Sequence, residues 1–234
     1  MKIALLGYGK MGKVIERIAL ERGHEIVLKK SGSNSYNGLE KADIAIDFSI
    51  PKAAINNISE CLNKNIPVIS GTTGWLEDYS KMVALCIEKN GAFIYASNFS
   101  LGVNLFFEMN NYLAKMMSKF HQYSVSMEEI HHTQKLDAPS GTAISLAKGI
   151  IENSDYSNWT LENPNTNEIH IDAKRIENVP GTHSIFYTSD VDTIEIKHTA
   201  YNRDGFALGS IIAAEWLVGK KGVFTMRDVL ELTK

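Results

Sequence analysis

Short apolar runs alternate with amphipathic stretches over the first hundred residues. Residues 2–6 are a compact apolar run that leads into Gly7-Tyr8-Gly9-Lys10-Met11-Gly12. Val14, Ile15, Ile18 and Ala19 then recur at helical spacing as far as Arg22, and Gly23 ends the stretch. Further strands are predicted over residues 25–28, 42–48, 67–70 and 92–96. Helices are expected from Pro51 and through Met82 and Ile87. Residues 31–38 are polar, and residues 31–41 leave no room for a helix. Each strand is apolar throughout, as expected when helices cover both faces of a parallel sheet. The reading is a doubly wound, Rossmann-like α/β domain, whose ligands sit beyond the carboxyl ends of its strands. Residues 7–12, 71–74 and 96–100 all lie at that edge.

The pattern changes after about residue 102. A helix is predicted over 104–118 and another over 141–152, with strands over 124–130, 169–175, 182–188 and 193–199. This reads as an α+β domain with an open, mixed or mostly antiparallel sheet, whose uncovered face would leave apolar surface in water. Residues 206–218 and 225–232 read as helices returning to the first domain. The expected domains are therefore residues 1–101, completed by 206–234, and residues 102–205.

Of the 234 residues, 44% are hydrophobic and 22% charged, which excludes disorder and coiled coil. A net charge of -3 argues against nucleic-acid and membrane-surface partners. The first apolar run is too short for a secretory signal, and no stretch is long enough to span a bilayer. Cys61 and Cys86 form no C-x-x-C pair and read as buried thiols in a reducing compartment, so a cytoplasmic location is expected.

Three motifs carry chemistry. The first glycine cluster reads as a shortened G-x-G-x-x-G between strand and helix, where backbone amides can approach a pyrophosphate. The second signal is an absence. A strand that binds the ribose of NAD usually ends in an acid, whereas this one ends Leu28-Lys29-Lys30-Ser31-Gly32-Ser33. Lys29 and Lys30 suit a 2'-phosphate, so NADPH is expected to be preferred over NADH.

The third motif is Glu129-Ile130-His131-His132-Thr133-Gln134-Lys135-Leu136-Asp137-Ala138-Pro139-Ser140-Gly141-Thr142-Ala143. Adjacent histidines on a strand point to opposite faces, and no third ligand stands at a zinc-like offset, so no metal site is expected. Histidine titrates near neutrality, and Lys135 supplies a positive charge or a proton. Ser140, Gly141 and Thr142 open a helix whose first amides can cradle a carboxylate. Together they describe a site where a small anionic substrate undergoes proton transfer.

The stretch EIHHTQKLDAPSGTA resembles the signature of the 4-hydroxy-tetrahydrodipicolinate reductase (dihydrodipicolinate reductase) family. GYGKMG, DFSIP, SGTTGW and SNFSLGVNL match further blocks of that family in order, and Arg175 with Gly181-Thr182-His183 resembles a later one. The resemblance implies NAD(P)H-dependent reduction of 4-hydroxy-tetrahydrodipicolinate to tetrahydrodipicolinate, with loss of water, in diaminopimelate and lysine biosynthesis. It places His131 and Lys135 at proton-transfer positions and His132, Gly141 and Thr142 at the substrate's carboxylates. It places Gly71, Thr72, Thr73, Ala96, Ser97, Asn98 and Phe99 along the nicotinamide and its ribose, and it implies a homotetramer built through the second domain's sheet. The chain departs from the family in a glycine loop one residue shorter, in Lys29-Lys30 where many members carry an acid and a base, and in the missing helix after the second strand. A semialdehyde dehydrogenase would need a cysteine nucleophile, and both cysteines fall in predicted helices of the first domain. A nucleotide-sensing regulator would have no use for the HH-x-x-K motif.

Overall fold

The structure, a computed structural model, describes residues 1–32 and 35–232; Ser33, part of the expected phosphate-binding turn, lies outside the described residues. The chain divides into two compact units, Met1–Leu101 with Arg203–Lys234, and Gly102–Asn202.

The first unit begins β1 (Lys2–Leu6), α1 (Lys10–Glu21), β2 (Glu25–Lys30), β3 (Ile44–Asp47), α2 (Pro51–Asn63), β4 (Val68–Ser70), α3 (Tyr79–Glu88) and β5 (Ala92–Tyr95). Alternate residues of each strand face opposite layers. Ile3, Leu5, Ile44 and Ile46 pack with Ile15 and Ile18 of α1 on one face. Ala4, Leu6, Ala45 and Val68 pack with Ile58 and Leu62 of α2 on the other. Among the described residues between β2 and β3, the regular structure is a 3-10 turn, Leu39–Lys41, in which Leu39 is fully buried.

Gly7, Gly9 and Gly12 stand at offsets of two and three, which is the full G-x-G-x-x-G spacing, so the expectation of a shortened motif is corrected. Gly7 has φ +105°, and a Cβ there would lie 2.1 Å from the Phe48 carbonyl oxygen. No other residue fits where this loop crosses the end of β3.

The second unit holds α4 (Leu101–Met117), β6 (Ser124–His131), α5 (Gly141–Ile151), β7 (Asn158–Thr160), β8 (Glu168–Arg175), β9 (Gly181–Thr188) and β10 (Thr193–Ala200). Its sheet runs β10-β9-β6-β8-β7. Two pairings are antiparallel and two are parallel, so the sheet is mixed rather than mostly antiparallel. The chain leaves β6 through α5 before it reaches β8, a crossover that returns it parallel. β7 was not predicted, because three residues are too short to show a period.

Val125, Met127, Ile169, Ile171 and Ile185 point from the sheet onto Phe106 and Ala114 of α4 and Leu146 and Ile150 of α5. The residues between them, among them Ser126, Glu128, Asp172, Lys174, Glu195 and Lys197, point the other way. The uncovered face is thus mainly polar and of mixed charge, which corrects the expected apolar surface.

The chain then returns to the first unit with α6 (Asp204–Leu217), β11 (Gly222–Phe224) and α7 (Met226–Val229). β11 was not predicted, and it closes an all-parallel sheet in the order β11-β5-β4-β3-β1-β2. α6 is apolar nearly all round because it is covered twice, by the sheet and by α1. Arg22, the C-cap of α1, reaches Glu215 of α6 through two hydrogen bonds of 2.9 and 2.8 Å. A Cβ at Gly209 would sit 1.8 Å from the Phe99 carbonyl, so α6 rests directly on the loop that follows β5. Among the described residues, no helix is long and apolar enough to cross a membrane.

Candidate active site

The carboxyl edge of the parallel sheet is organised by Asp47, the last residue of β3. Its carboxylate is fully buried and accepts four hydrogen bonds, from Ser49 Oγ at 2.7 Å, Asn57 Nδ2 at 2.8 Å, Ser70 Oγ at 2.7 Å and Thr72 Oγ1 at 2.8 Å. Burial pushes its pKa up, against the downward pull of those four donors. The knot ties the loops after β3 and β4 together. Thr72 therefore spends its hydroxyl on structure, and its carbonyl accepts from Trp75 Nε1 at 2.7 Å.

Beside this knot lies a cleft of about 260 Å³ lined by Met11, Phe48, Gly71, Ser97, Asn98, Phe99, Arg203 and Phe206. Five of these are predicted nucleotide-binding positions, brought together from three loops. Phe48, Arg203 and Phe206 are additions that the sequence did not single out. A Cβ built on Gly71 would clash with the Phe48 ring at 2.4 Å, whereas nothing lies within 4 Å of one built on Gly9. Gly9 is also the N-cap of α1, with no side-chain hydrogen bond over the helix start. The open space there and the uncapped first turn fit a dinucleotide pyrophosphate.

The two lysines of β2 differ. Lys29 is ion-paired with Glu16 of α1, which also accepts the Tyr8 hydroxyl, and this raises the Lys29 pKa and lowers that of Glu16. Lys30 is buried, with Nζ 3.1 Å from the Gly32 carbonyl and 4.7 Å from the centre of the Tyr36 ring.

The second unit carries the titratable cluster. Along β6, Glu129 and His131 occupy the inward-facing alternation that Val125 and Met127 begin, so a carboxylate sits under the start of α5. Glu129 is fully buried. Its Oε2 accepts the Ser140 amide at 3.0 Å and its Oε1 accepts Arg175 Nη2 at 3.1 Å. His131 Nδ1 lies 3.6 Å and His183 Nε2 3.8 Å from Oε2. The two rings meet edge to face at 5.1 Å. Burial lowers the His131 pKa, against the pull of Glu129, and pushes His183 down to about 3, so His183 is neutral at physiological pH.

Ser140 caps α5 by accepting the Ala143 amide at 3.2 Å and shares a 3.1 Å hydrogen bond with His183 Nε2. Its hydroxyl is therefore committed to holding the helix start. Gly141 follows it, exposed and with open space where a Cβ would stand. Lys135 Nζ is held by both carboxylate oxygens of Asp137, at 2.9 and 2.7 Å. Arg175 binds the carbonyls of Lys135 and Asp137 at 3.3 and 2.6 Å, and so fastens the loop after β6 onto β8.

Glu129, Arg175 and His183 were not among the predicted site residues. A glutamate at an inward position of a strand was the available signal for the first. For the other two, only the R…GTH block pointed that way. Glu129, His131 and His183 also bring metal-ligand atoms within 4.8 Å of one another, which spacing along the chain did not disclose. Arg175 and the Ser140 amide already compensate that carboxylate, and a further cation there would face the guanidinium. Cys61 and Cys86 are buried in α2 and α3, where burial pushes both thiols up, which is wrong for a nucleophile.

Two family models match the chain, "Dihydrodipicolinate reductase, N-terminus" over residues 1–99 and "Dihydrodipicolinate reductase, C-terminus" over residues 102–230. A 4-hydroxy-tetrahydrodipicolinate reductase of Christiangramia forsetii is 57% identical over 233 residues, 98% of each chain. That of Archaeoglobus fulgidus is 32% identical, covering 99% of this chain and 100% of its own. A dipicolinate-bound dihydrodipicolinate reductase from Paenisporosarcina sp. TG-14 has the same fold, with a TM-score of 0.76 at 23% identity over 96% of this chain and 97% of that one.

Fold and site together define an oxidoreductase that draws on a pyridine nucleotide. The chain belongs to the dihydrodipicolinate reductase family. It reduces 4-hydroxy-tetrahydrodipicolinate to tetrahydrodipicolinate in diaminopimelate and lysine biosynthesis.

Proposed function

We propose that His131 and Lys135 exchange the proton of this reduction, and that His132, Gly141 and Thr142 hold the substrate's carboxylates at the start of α5. The observation that carries this reading is the buried Glu129–His131–His183 cluster beside the Lys135–Asp137 pair and an N-terminal helix turn.

When bound, the nucleotide supplies a hydride to the substrate ring. Loss of the 4-hydroxyl as water leaves a conjugated imine, and adding a hydride to it puts negative charge on the ring. One proton from the protein quenches that charge, so one substrate, one reduced nucleotide and one proton give one product, one oxidised nucleotide and one water. The clamp on the carboxylates fixes the ring, and an acid–base group held beside it passes the proton without a prior encounter with solvent. Gly9, the first turn of α1, Gly71 and residues 96–99 would hold the nucleotide.

NADPH is the preferred nucleotide in this reading, with Lys29 as the 2'-phosphate ligand. Glu16 competes for that lysine, so preference depends on the pair. Lys29→Glu is expected to lower kcat/KM for NADPH by about tenfold relative to NADH, and Glu16→Gln to raise it. Steady-state kinetics with both nucleotides test this. A wild type that favours NADH, or two variants with the wild-type ratio, would leave Lys29 as a solvated ion pair.

The enzyme works in the cytoplasm as a homotetramer built through the open sheet of the second unit. The mixed charges of that face suit a self-complementary interface. Sedimentation at micromolar concentration is expected to give a tetramer, and monomer alone would contradict it.

A further inference from the structure

We propose that Glu129 is the positioning residue of the proton-transfer site: its Oε2 holds the Nδ1–H tautomer of His131 and so presents Nε2 as the atom that exchanges the proton. This rests on the reading of His131 given above.

The geometry leaves few alternatives. His131 Nδ1 is buried and has no hydrogen-bond partner, and Glu129 Oε2 stands 3.6 Å away, just beyond bonding distance. A ring nitrogen in that position is stable as a donor turned to the carboxylate. As a bare acceptor it would place a lone pair against a buried negative charge. Nε2, on the opposite edge, faces Gly181, where even a Cβ would approach to 3.1 Å. Glycine keeps that edge of the ring clear.

Glu129 can serve as the anchor because its own position is fixed from three other elements. Arg175 of β8 holds Oε1, the Ser140 amide at the start of α5 holds Oε2, and His183 of β9 closes the third side. The charged and titratable groups around His131 are thus Glu129 on its own strand, Arg175, His183, and Lys135 and Asp137 on the loop after β6. Arg175 and Lys135 oppose a proton on His131, and Glu129 and Asp137 favour one. Glu129 also explains why a carboxylate is kept in a fully buried place, where an apolar residue would fit the alternation of β6.

The removal of Glu129's charge therefore has a sign. In Glu129→Gln the ring loses its anionic neighbour, so the His131 midpoint moves to lower pH and the tautomer preference weakens. We expect kcat to fall by about 10- to 100-fold, more than the substrate KM rises through the Ser140 amide that Glu129 also holds, and the kcat–pH profile to shift to the acid side. Glu129→Asp keeps the charge and should recover part of both. A merely structural glutamate would lower thermal stability without moving the pH profile.

The direct test is histidine-labelled protein read by two-bond 1H–15N spectra across a pH titration. Wild-type His131 should show the Nδ1–H, bare Nε2 pattern at neutral pH. Observing the Nε2–H tautomer in wild type overturns the proposal even if the Glu129→Gln protein does not fold. So does a folded Glu129→Gln with unchanged tautomer and midpoint. Failure of the His131 reading itself would appear separately, as a His131→Ala enzyme with near-wild-type kcat.

Discussion

Replacing His131 or Lys135 with alanine is expected to lower kcat by about 10²- to 10⁴-fold, the usual contribution of a positioned acid–base group. Both side chains belong to the segment that leaves β6 and leads into the start of α5, and neither is needed to hold that segment in place. The turn is held by the Lys135 amide on the His132 carbonyl at 3.0 Å, and the loop by Arg175 on backbone carbonyls. The variants should therefore fold and still bind both substrate and nucleotide. His132→Ala should act differently, raising the substrate KM with a smaller loss in kcat, because a carboxylate ligand contributes to binding before the reaction and during it. Steady-state kinetics of the three variants across neutral pH provide the check. A His131→Ala enzyme that keeps its kcat and its pH profile would make solvent the proton source.

Asp47→Ala is expected to destabilise the protein by about 3 kcal/mol or more. The substitution removes the acceptor of four donors; Asn57 Nδ2 keeps Ser49 Oγ at 3.1 Å and Ser49 Oγ keeps the Ile50 carbonyl at 3.4 Å, but the buried hydroxyls of Ser70 and Thr72 lose theirs. An orphaned buried donor costs about 1–3 kcal/mol, although some of the four will find other partners. For a chain of this size the loss corresponds to a fall in Tm of roughly 6–12 °C. Asp47→Asn keeps one acceptor oxygen but turns an amide toward two hydroxyl donors, so it should fall between wild type and alanine. Thermal unfolding with and without NADPH measures both effects, since the knot also positions Gly71 and the Phe48 ring in the cleft. A Tm for Asp47→Ala within about 2 °C of wild type would show that water or rearranged hydroxyls replace the carboxylate.

The sequence made the parallel sheet legible because its strands are short apolar runs, each ended by a loop of glycine, serine or asparagine. It hid β7 and β11, which have three residues each and draw their stability from neighbouring strands rather than from a pattern of their own. The mixed pairing of the second sheet was hidden for a related reason. Alternation shows which face of a strand is buried but not the direction of its neighbour.

In the site, His131, His132 and Lys135 stood out because three titratable side chains within five residues are hard to explain structurally. Glu129 stood two residues earlier in the same segment, yet it reads as an ordinary polar position until the alternation of β6 places it inward. Arg175 and His183 lie more than forty residues downstream of His131, on strands that flank β6 on either side. Only the sheet order brings them to the cluster. Ser140 and Thr72 show the converse, since both lie in recognisable motifs but spend their hydroxyls on holding the loops in place.

The most direct test of the whole account is a substrate-dependent turnover with product identification. Freshly generated 4-hydroxy-tetrahydrodipicolinate is added to purified protein with NADPH, nucleotide oxidation is followed by absorbance, and the product is identified by mass spectrometry. The account predicts oxidation only when protein and substrate are both present, with one tetrahydrodipicolinate formed per NADPH consumed. Oxidation that does not depend on the substrate, or none above the protein-free control, would contradict it.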